Sequence, residues 1–221
     1  QVWYFTIGGG EKGLDGKVLD PYAKEDLSKY TEGKDRTGDL TMKTSMEVLR
    51  PQGDDDSTGK TVRPHYGAGL EFSNQFKLPE GKDPIKPGDY FVLKLSDNID
   101  LKGTDPGDVS QLDIMGDGVG TIAKASYNAT EGTIKYTFTG FAEKYTMNEF
   151  TNRLAAFINL KKVKNSGDQD VSLSLDSETN KSTVYNDKIN VDYKIVLGES
   201  PYNYTLYDDY RNAYTYHDHL N

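Results

Sequence analysis

The feature that most constrains this chain is its punctuation. From residue 61 onward, short runs of alternating apolar and polar residues recur every 8–20 residues, each closed by a cluster of Gly, Pro, Asn or Asp. Successive side chains of a strand point to opposite faces, so such a run has one apolar face and one wet face. "YFVLKL" (90–95) is the clearest, with Phe91, Leu93 and Leu95 on one side. Comparable runs stand at 40–49, 67–78, 170–177 and 188–197, and the runs at 120–128 and 132–141 make a hairpin around "ATEG". "VWYFTI" (2–7), closed by three glycines, reads as one more strand. "RPQGDDDSTGK" (50–60), "PEGKDPIKPGD" (79–89) and "DNIDLKGTDPGDVSQ" (97–111) read as loops, and "PYAKEDLSKY" (21–30) as a short helix with Pro21 near its start. The pattern predicts an all-β, antiparallel sandwich.

One stretch is two-sided. In "EFTNRLAAFINL" (149–160), Phe150, Leu154, Phe157 and Ile158 share a helical face, whereas Phe150, Asn152, Leu154 and Ala156 alternate as in a strand. Periodicity alone leans towards helix.

Composition narrows the functional classes. The 221 residues suffice for one large β-domain or two small ones, and the 16 tyrosines suit half-buried pleated surfaces. A net charge of −9 with no basic cluster argues against nucleic acid and against an anionic membrane surface. No run of 18 apolar residues is present, so membrane insertion is not expected. The absence of cysteine excludes disulfides, thiolate zinc sites and thiol catalysis. The opening in mid-pattern suggests a piece of a longer protein.

Catalytic signatures are lacking. There is no G-x-S-x-G elbow and no H-E-x-x-H, and "STGKT" (57–61) lacks the glycine a phosphate loop needs before it. "DIMGDGVG" (113–120) lacks the ligand series of a calcium loop and reads as a turn, and the triple Asp at 54–56 reads as solvated. His217 and His219 could face one metal from a strand, but a third ligand is not evident. No enzyme, no cofactor and no metal are expected. Aromatic clustering is the better lead. Tyr202, Tyr204, Tyr207, Tyr210, Tyr214 and Tyr216, with Trp3 and His65, are candidates for a surface that binds a peptide or a sugar, because Tyr offers large contact area and a hydroxyl at low entropic cost. The plainer reading of the tail is an added strand or hairpin.

Three stretches carry a resemblance. "TVRPH" with "FKLPEGKDPIKPGDYFVLKL", then "TIAKASYNATEGTIKYTFTGFAEKY", then "KINVDY" resemble the first Ig-like ligand-binding subdomain of Gram-positive cell-wall-anchored adhesins of the serine–aspartate-repeat and clumping-factor (MSCRAMM) type, over residues 61–193. The resemblance implies a variant Ig sandwich and turns 149–157 into a strand. It also implies that an extended host peptide is held by strand addition and that a latch strand closes over a cleft. The family's T-Y-T-F-T-D-Y-V-D motif behind that cleft falls on Lys135 to Glu143, which places Tyr136, Thr137, Phe138, Thr139, Gly140 and Phe141 as latch-cleft residues. Gly140 stands where the family has Asp, Lys135 where it has Thr, and the 28 residues after Tyr193 cannot form a second subdomain. Lack of cysteine accords with surface proteins that fold without disulfide machinery.

The expected organisation is an N-terminal strand and polar extension (1–38), an Ig-like sandwich with short helical turns (39–197) and a Tyr-rich C-terminal extension (198–221). The expected function is a non-catalytic adhesin domain, extracellular and anchored to a Gram-positive cell wall. It would act as a monomer on a host protein (of fibrinogen, fibronectin or complement type) or a host glycan. The alternative is a stalk or pilus-type spacer without a ligand of its own, for which a stiffening Lys–Asn isopeptide bond would be a mark.

Overall fold

The computed structural model describes residues 31–51, 59–101, 112–116, 120–144 and 146–195. The expected strand at 2–7, the helix at 21–30 and the tyrosine-rich tail lie outside the described residues. In chain order the strands are β1 (Thr41–Leu49), β2 (Thr61–Val62), β3 (Gly69–Lys77), β4 (Tyr90–Leu95), β5 (Ile99–Asp100), β6 (Ile114–Gly116), β7 (Gly120–Asn128), β8 (Thr133–Phe138), β9 (Glu149–Ile158), β10 (Gly167–Asp176) and β11 (Lys181–Val191). A 3-10 turn (Pro64–Tyr66) follows β2, and a four-residue helix, α1 (Phe141–Lys144), follows β8. One sheet runs β1-β3-β9-β5 and the other β2-β11-β10-β4-β8-β7-β6. Every named pairing is antiparallel except that of β2 with β11.

Alternation decides which side chains meet. Phe76 (β3) and Phe150 (β9) face inward from the smaller sheet, and Phe91 (β4), Tyr136 and Phe138 (β8) from the larger; all five are fully or almost fully buried. Phe76 stacks on Phe150 with ring centroids 5.1 Å apart, Phe91 stacks on Tyr136 at 5.0 Å, and Phe138 meets Phe150 edge-on at 5.5 Å. Each such pair adds about 0.5–1.5 kcal/mol beyond the area it buries.

The ambiguous stretch is a strand. β9 spans ten residues, with Phe150, Leu154, Ala156 and Ile158 buried. Its long pairing with β3, from Leu70↔Ala156 to Lys77↔Glu149, outweighs its helical spacing.

Five expected stretches differ in the structure. The run expected at 188–197 is a strand from Lys181 to Val191. Its first half lacks an apolar alternation because its inward positions, Thr183, Tyr185 and Asp187, are polar or amphipathic and lie at the open side of the sandwich. The strand expected at 170–177 begins at Gly167. The strand expected at 132–141 ends at Phe138. There Thr139 turns inward, fully buried, and its hydroxyl donates to the Thr121 carbonyl at 2.8 Å and accepts from the Phe141 amide at 3.3 Å. Thr139 and Phe141 therefore do not continue the outward row of Lys135 and Thr137. Finally, the loop at 97–111 includes β5, and the turn at 113–120 includes β6.

Residues 33–37 run parallel to the start of β4, where β10 has not yet joined. The Tyr90 amide donates to the Lys34 carbonyl at 3.0 Å, and the Arg36 amide to the Tyr90 carbonyl at 2.7 Å. Arg36, 1% exposed, clamps this segment. Its guanidinium donates to Asp89 at 3.1 Å, to Asp39 at 2.8 Å, and to the carbonyls of Asp83 and Pro84. Asp89 also accepts from the amides of Lys34 and Lys86, so both buried charges are satisfied.

Candidate ligand-binding edges

β8 carries the motif that the resemblance singled out. It is hydrogen-bonded on both sides, to β4 from Tyr90↔Thr137 to Lys94↔Thr133 and to β7 from Ala123↔Phe138 to Asn128↔Thr133. Its backbone therefore presents no free edge. Tyr136 and Phe138 enter the core, Lys135 and Thr137 point outward, and Gly140 sits in the turn before Phe141 opens α1.

The Tyr136 hydroxyl begins a polar row through the core. The Asn152 side-chain amide donates to it at 3.2 Å, the Asn74 amide donates to Asn152 Oδ1 at 2.9 Å, and the Thr44 hydroxyl donates to Asn74 Oδ1 at 2.7 Å. Burial drives the Tyr136 hydroxyl far above its ordinary pKa; the Asn152 bond opposes this and Asp113 adds to it. The phenol stays neutral. The row links the motif strand to β1, the outermost strand of the other sheet.

β1 is the outermost strand of the smaller sheet and has an open edge. Its nine residues pair with β3 on one side, from Thr41↔Lys77 to Leu49↔Gly69. On the other, the Met42 amide donates to the Thr183 hydroxyl at 3.2 Å, and the Ser182 hydroxyl reaches the Leu40 carbonyl at 2.7 Å. In an antiparallel ladder alternate residues direct both backbone groups away from the partner. The residues in step with Met42 are Thr44, Met46 and Val48, whose amides and carbonyls thus face outward. β11 forms the matching border of the larger sheet, covered by β2 only at Asn190 and Val191.

Tyr185 and Asp187 line the wedge between β1 and β11. The Tyr185 ring meets Phe72 edge-on at 6.3 Å, and its hydroxyl donates to Asp187 at 2.8 Å. Lys60 holds the same carboxylate at 2.5 and 2.6 Å. Burial first, then the hydrogen bond to and the charge of Asp187, push Tyr185 up to about 12. For Asp187, burial would raise the pKa, but the donors Lys60, Tyr185 and the Lys188 amide outweigh it and hold the carboxyl below its ordinary value. The wedge is apolar at its floor and zwitterionic at its rim, and it borders two rows of outward backbone groups. Such a place can accept an extended chain.

The aromatic candidates are not gathered there. His65 is 8% exposed on the 3-10 turn, its ring 5.3 Å from that of Tyr193. Trp3, Tyr202, Tyr204, Tyr207, Tyr210, Tyr214 and Tyr216 lie outside the described residues, as do His217, His219 and residues 54–56. Asp113 accepts the Ala125 amide at 2.7 Å, and no metal-binding group of carboxylates and histidines occurs among the described residues. Sequence reasoning missed Thr44, Asn74, Asn152 and Tyr185. A signal existed: Asn74 stands between Phe72 and Phe76, and Asn152 between Phe150 and Leu154, at inward positions of otherwise apolar rows.

Comparison with known proteins agrees with this architecture. The bacterial Ig domain family matches residues 63–168. The chain is 32% identical over 117 residues to the serine-aspartate repeat-containing protein D of Staphylococcus aureus strain MW2, an alignment covering 52% of this chain and 8% of that protein. It is 24% identical over 192 residues to the fibronectin-binding protein A of S. aureus strain MRSA252, covering 86% of this chain and 18% of that protein. The chain thus spans a small part of these relatives. The solved structures of the serine-rich repeat proteins Srr2 and Srr1 of Streptococcus agalactiae share the fold. Srr2 matches with TM-score 0.60 at 22% identity over 74% of this chain and 48% of that one; Srr1, an adhesion glycoprotein, with 0.55 at 21% over 75% and 50%. These relatives are named for repeats, adhesion or binding. The bacterial Ig domain match lies within the described sandwich, and over it the chain is similar to serine-aspartate repeat, fibronectin-binding and serine-rich repeat proteins.

Proposed function

We propose that this chain is a ligand-binding domain of a Gram-positive adhesin, displayed outside the cell on the wall, and that it holds an extended segment of a host matrix or plasma protein along β1. The observation that carries this reading is the nine-residue edge of β1, whose outward backbone groups at Thr44, Met46 and Val48 stand beside the wedge floored by Phe72 and Tyr185. Backbone hydrogen bonds supply affinity in strand addition, and the adjoining wedge supplies choice of side chain. Support comes from relatives whose names record fibronectin binding and adhesion. The domain acts as a monomer in this scheme, because one edge takes one ligand strand. A host glycan is the other ligand class, and no aromatic platform among the described residues favours it at this edge.

The spacer alternative draws less support. A Lys–Asn cross-link needs a buried lysine beside its partner, and no lysine is buried among the described residues. Asn74 and Asn152 bond each other instead.

Binding of the chain to immobilised fibronectin, fibrinogen and complement proteins, measured by biolayer interferometry, tests the proposal. Met46→Pro removes an amide that faces away from β3, a change an edge strand tolerates. It is expected to weaken binding about tenfold or more while the β-sheet circular dichroism is kept, one lost backbone hydrogen bond to the ligand plus local ordering accounting for that factor. Unchanged binding by the folded variant would remove β1 as the docking edge. Failure to bind any host protein would remove the adhesin reading.

A further inference from the structure

The outer face of the larger sheet carries a feature that peptide capture at β1 does not use. The pairings Val92↔Lys135 and Ser126↔Lys135 place Lys94 (β4), Lys135 (β8) and Lys124 (β7) on one diagonal across three neighbouring strands. The outward positions of these strands are Tyr90, Val92, Lys94, Thr133, Lys135, Thr137, Lys124, Ser126 and Asn128, and none is a carboxylate. Two diagonal steps of roughly 7–8 Å make a cationic line about 15 Å long. In a chain of 35 acidic and 26 basic residues this is a local reversal of sign.

The bordering carboxylates are already occupied. Glu32 bonds Lys135 at 2.6 Å, and Lys135 also lies 4.2 Å above the Tyr90 ring, which together hold its ammonium at the face. Asp176 accepts the Glu178 amide at 2.8 Å and pairs with Lys181 at 3.8 Å. Lys94 and Lys124 make no ion pair among the described residues, so their charge is available to a ligand. Apart from Val92, the remaining side chains are hydroxyls and an amide, and the next strand, β10, continues the hydroxyl surface with Ser174 opposite Lys94.

We propose that this face binds a sulfated polysaccharide. Lysines are strongly hydrated point charges that suit sulfate groups on a flexible polymer. The flat lattice of Thr133, Thr137, Ser126 and Asn128 offers donors and acceptors to sugar hydroxyls, which a simple polyphosphate lacks. The face belongs to the opposite sheet from β1, so both ligands could be held at once.

Surface plasmon resonance with immobilised heparin, dextran sulfate, neutral dextran and inorganic polyphosphate tests the proposal. Wild-type protein is expected to bind both sulfated polymers, to lose binding as salt rises, and to ignore neutral dextran. The variant K94E/K124E/K135E is expected to weaken sulfated-polymer binding at least about tenfold, as the loss of three charge contacts from half-buried lysines would. A control with the same change in net charge, K43E/K77E/K161E, alters exposed lysines elsewhere and is expected to stay within about twofold. Loss in both variants would reduce the effect to bulk charge and overturn the proposal. So would an unaffected patch variant, no binding by wild type, or polyphosphate bound as tightly as heparin. Binding of host proteins by the patch variant reports on β1 separately.

Discussion

The side-chain amide of Asn152 donates to the phenolic oxygen of Tyr136 at 3.2 Å, joining β9 of one sheet to β8 of the other through a core otherwise made of rings. The bond converts two polar groups that burial would penalise into a fixed contact, and Asn74 and Thr44 carry it on to β1. Tyr136→Phe leaves one buried Asn152 proton without its acceptor. It is expected to lower unfolding free energy by about 1–3 kcal/mol. Asn152→Ala orphans both the Tyr136 hydroxyl and the Asn74 amide, and is expected to cost more than Tyr136→Phe. Urea unfolding of the three proteins measures the order.

The Arg36–Asp89 pair is the most deeply buried ion pair among the described residues, with side chains 2% and 6% exposed. Removing the guanidinium strands a carboxylate in the protein interior. Arg36→Ala is therefore expected to destabilise by about 3–5 kcal/mol. Equilibrium unfolding in urea gives the value, and protease cleavage within residues 31–40 is expected to accelerate in step.

Gly88 shows how tightly residues 31–36 lie on the turn before β4. Its φ is +89°, and a Cβ built there would stand 2.5 Å from the Thr31 carbonyl oxygen. Gly88→Ala meets both a left-handed backbone and a backbone clash, so a loss of about 1–3 kcal/mol is expected. Hydrogen exchange at the Gly33 amide, which donates to Gly88 at 2.9 Å, is expected to speed up.

The wedge between β1 and β11 has a worked pH dependence. Tyr185, with an ordinary value of 10.0, is raised to about 12 in the fold. Its stabilisation is thus complete below pH 10 and is lost as pH rises through 12, because the unfolded chain releases the proton first. Asp187 is lowered, so its contribution is present above the ordinary carboxylate value and is lost as pH falls through the depressed one. Tyr185→Phe is expected to flatten the alkaline limb of stability against pH, and Asp187→Asn the acidic limb. Thermal unfolding across the pH range checks both, and an alkaline limb unchanged in Tyr185→Phe would assign that limb to other tyrosines.

What the residues alone determined is the layer architecture. Phe91, Leu93 and Leu95 alternate, as do Ile134, Tyr136 and Phe138, and a period of two with Gly and Asn turns leaves few folds other than an antiparallel sandwich. The adhesin resemblance was likewise legible, since it rests on contiguous strings. The tertiary structure decided what local pattern could not. Residues 149–158 satisfied two periods, and only the β3 ladder selects the strand. The first half of β11 looked too polar for a strand because its inward side chains face an open wedge and not the centre of the core. The edges of β1 and β11 and the lysine diagonal exist only once strands from distant parts of the chain are placed in order, since an edge is defined by which neighbour is missing. Local sequence sets which face of a strand is apolar; long-range pairing sets which strands stand at the border, and the binding surfaces proposed for this protein depend on that pairing.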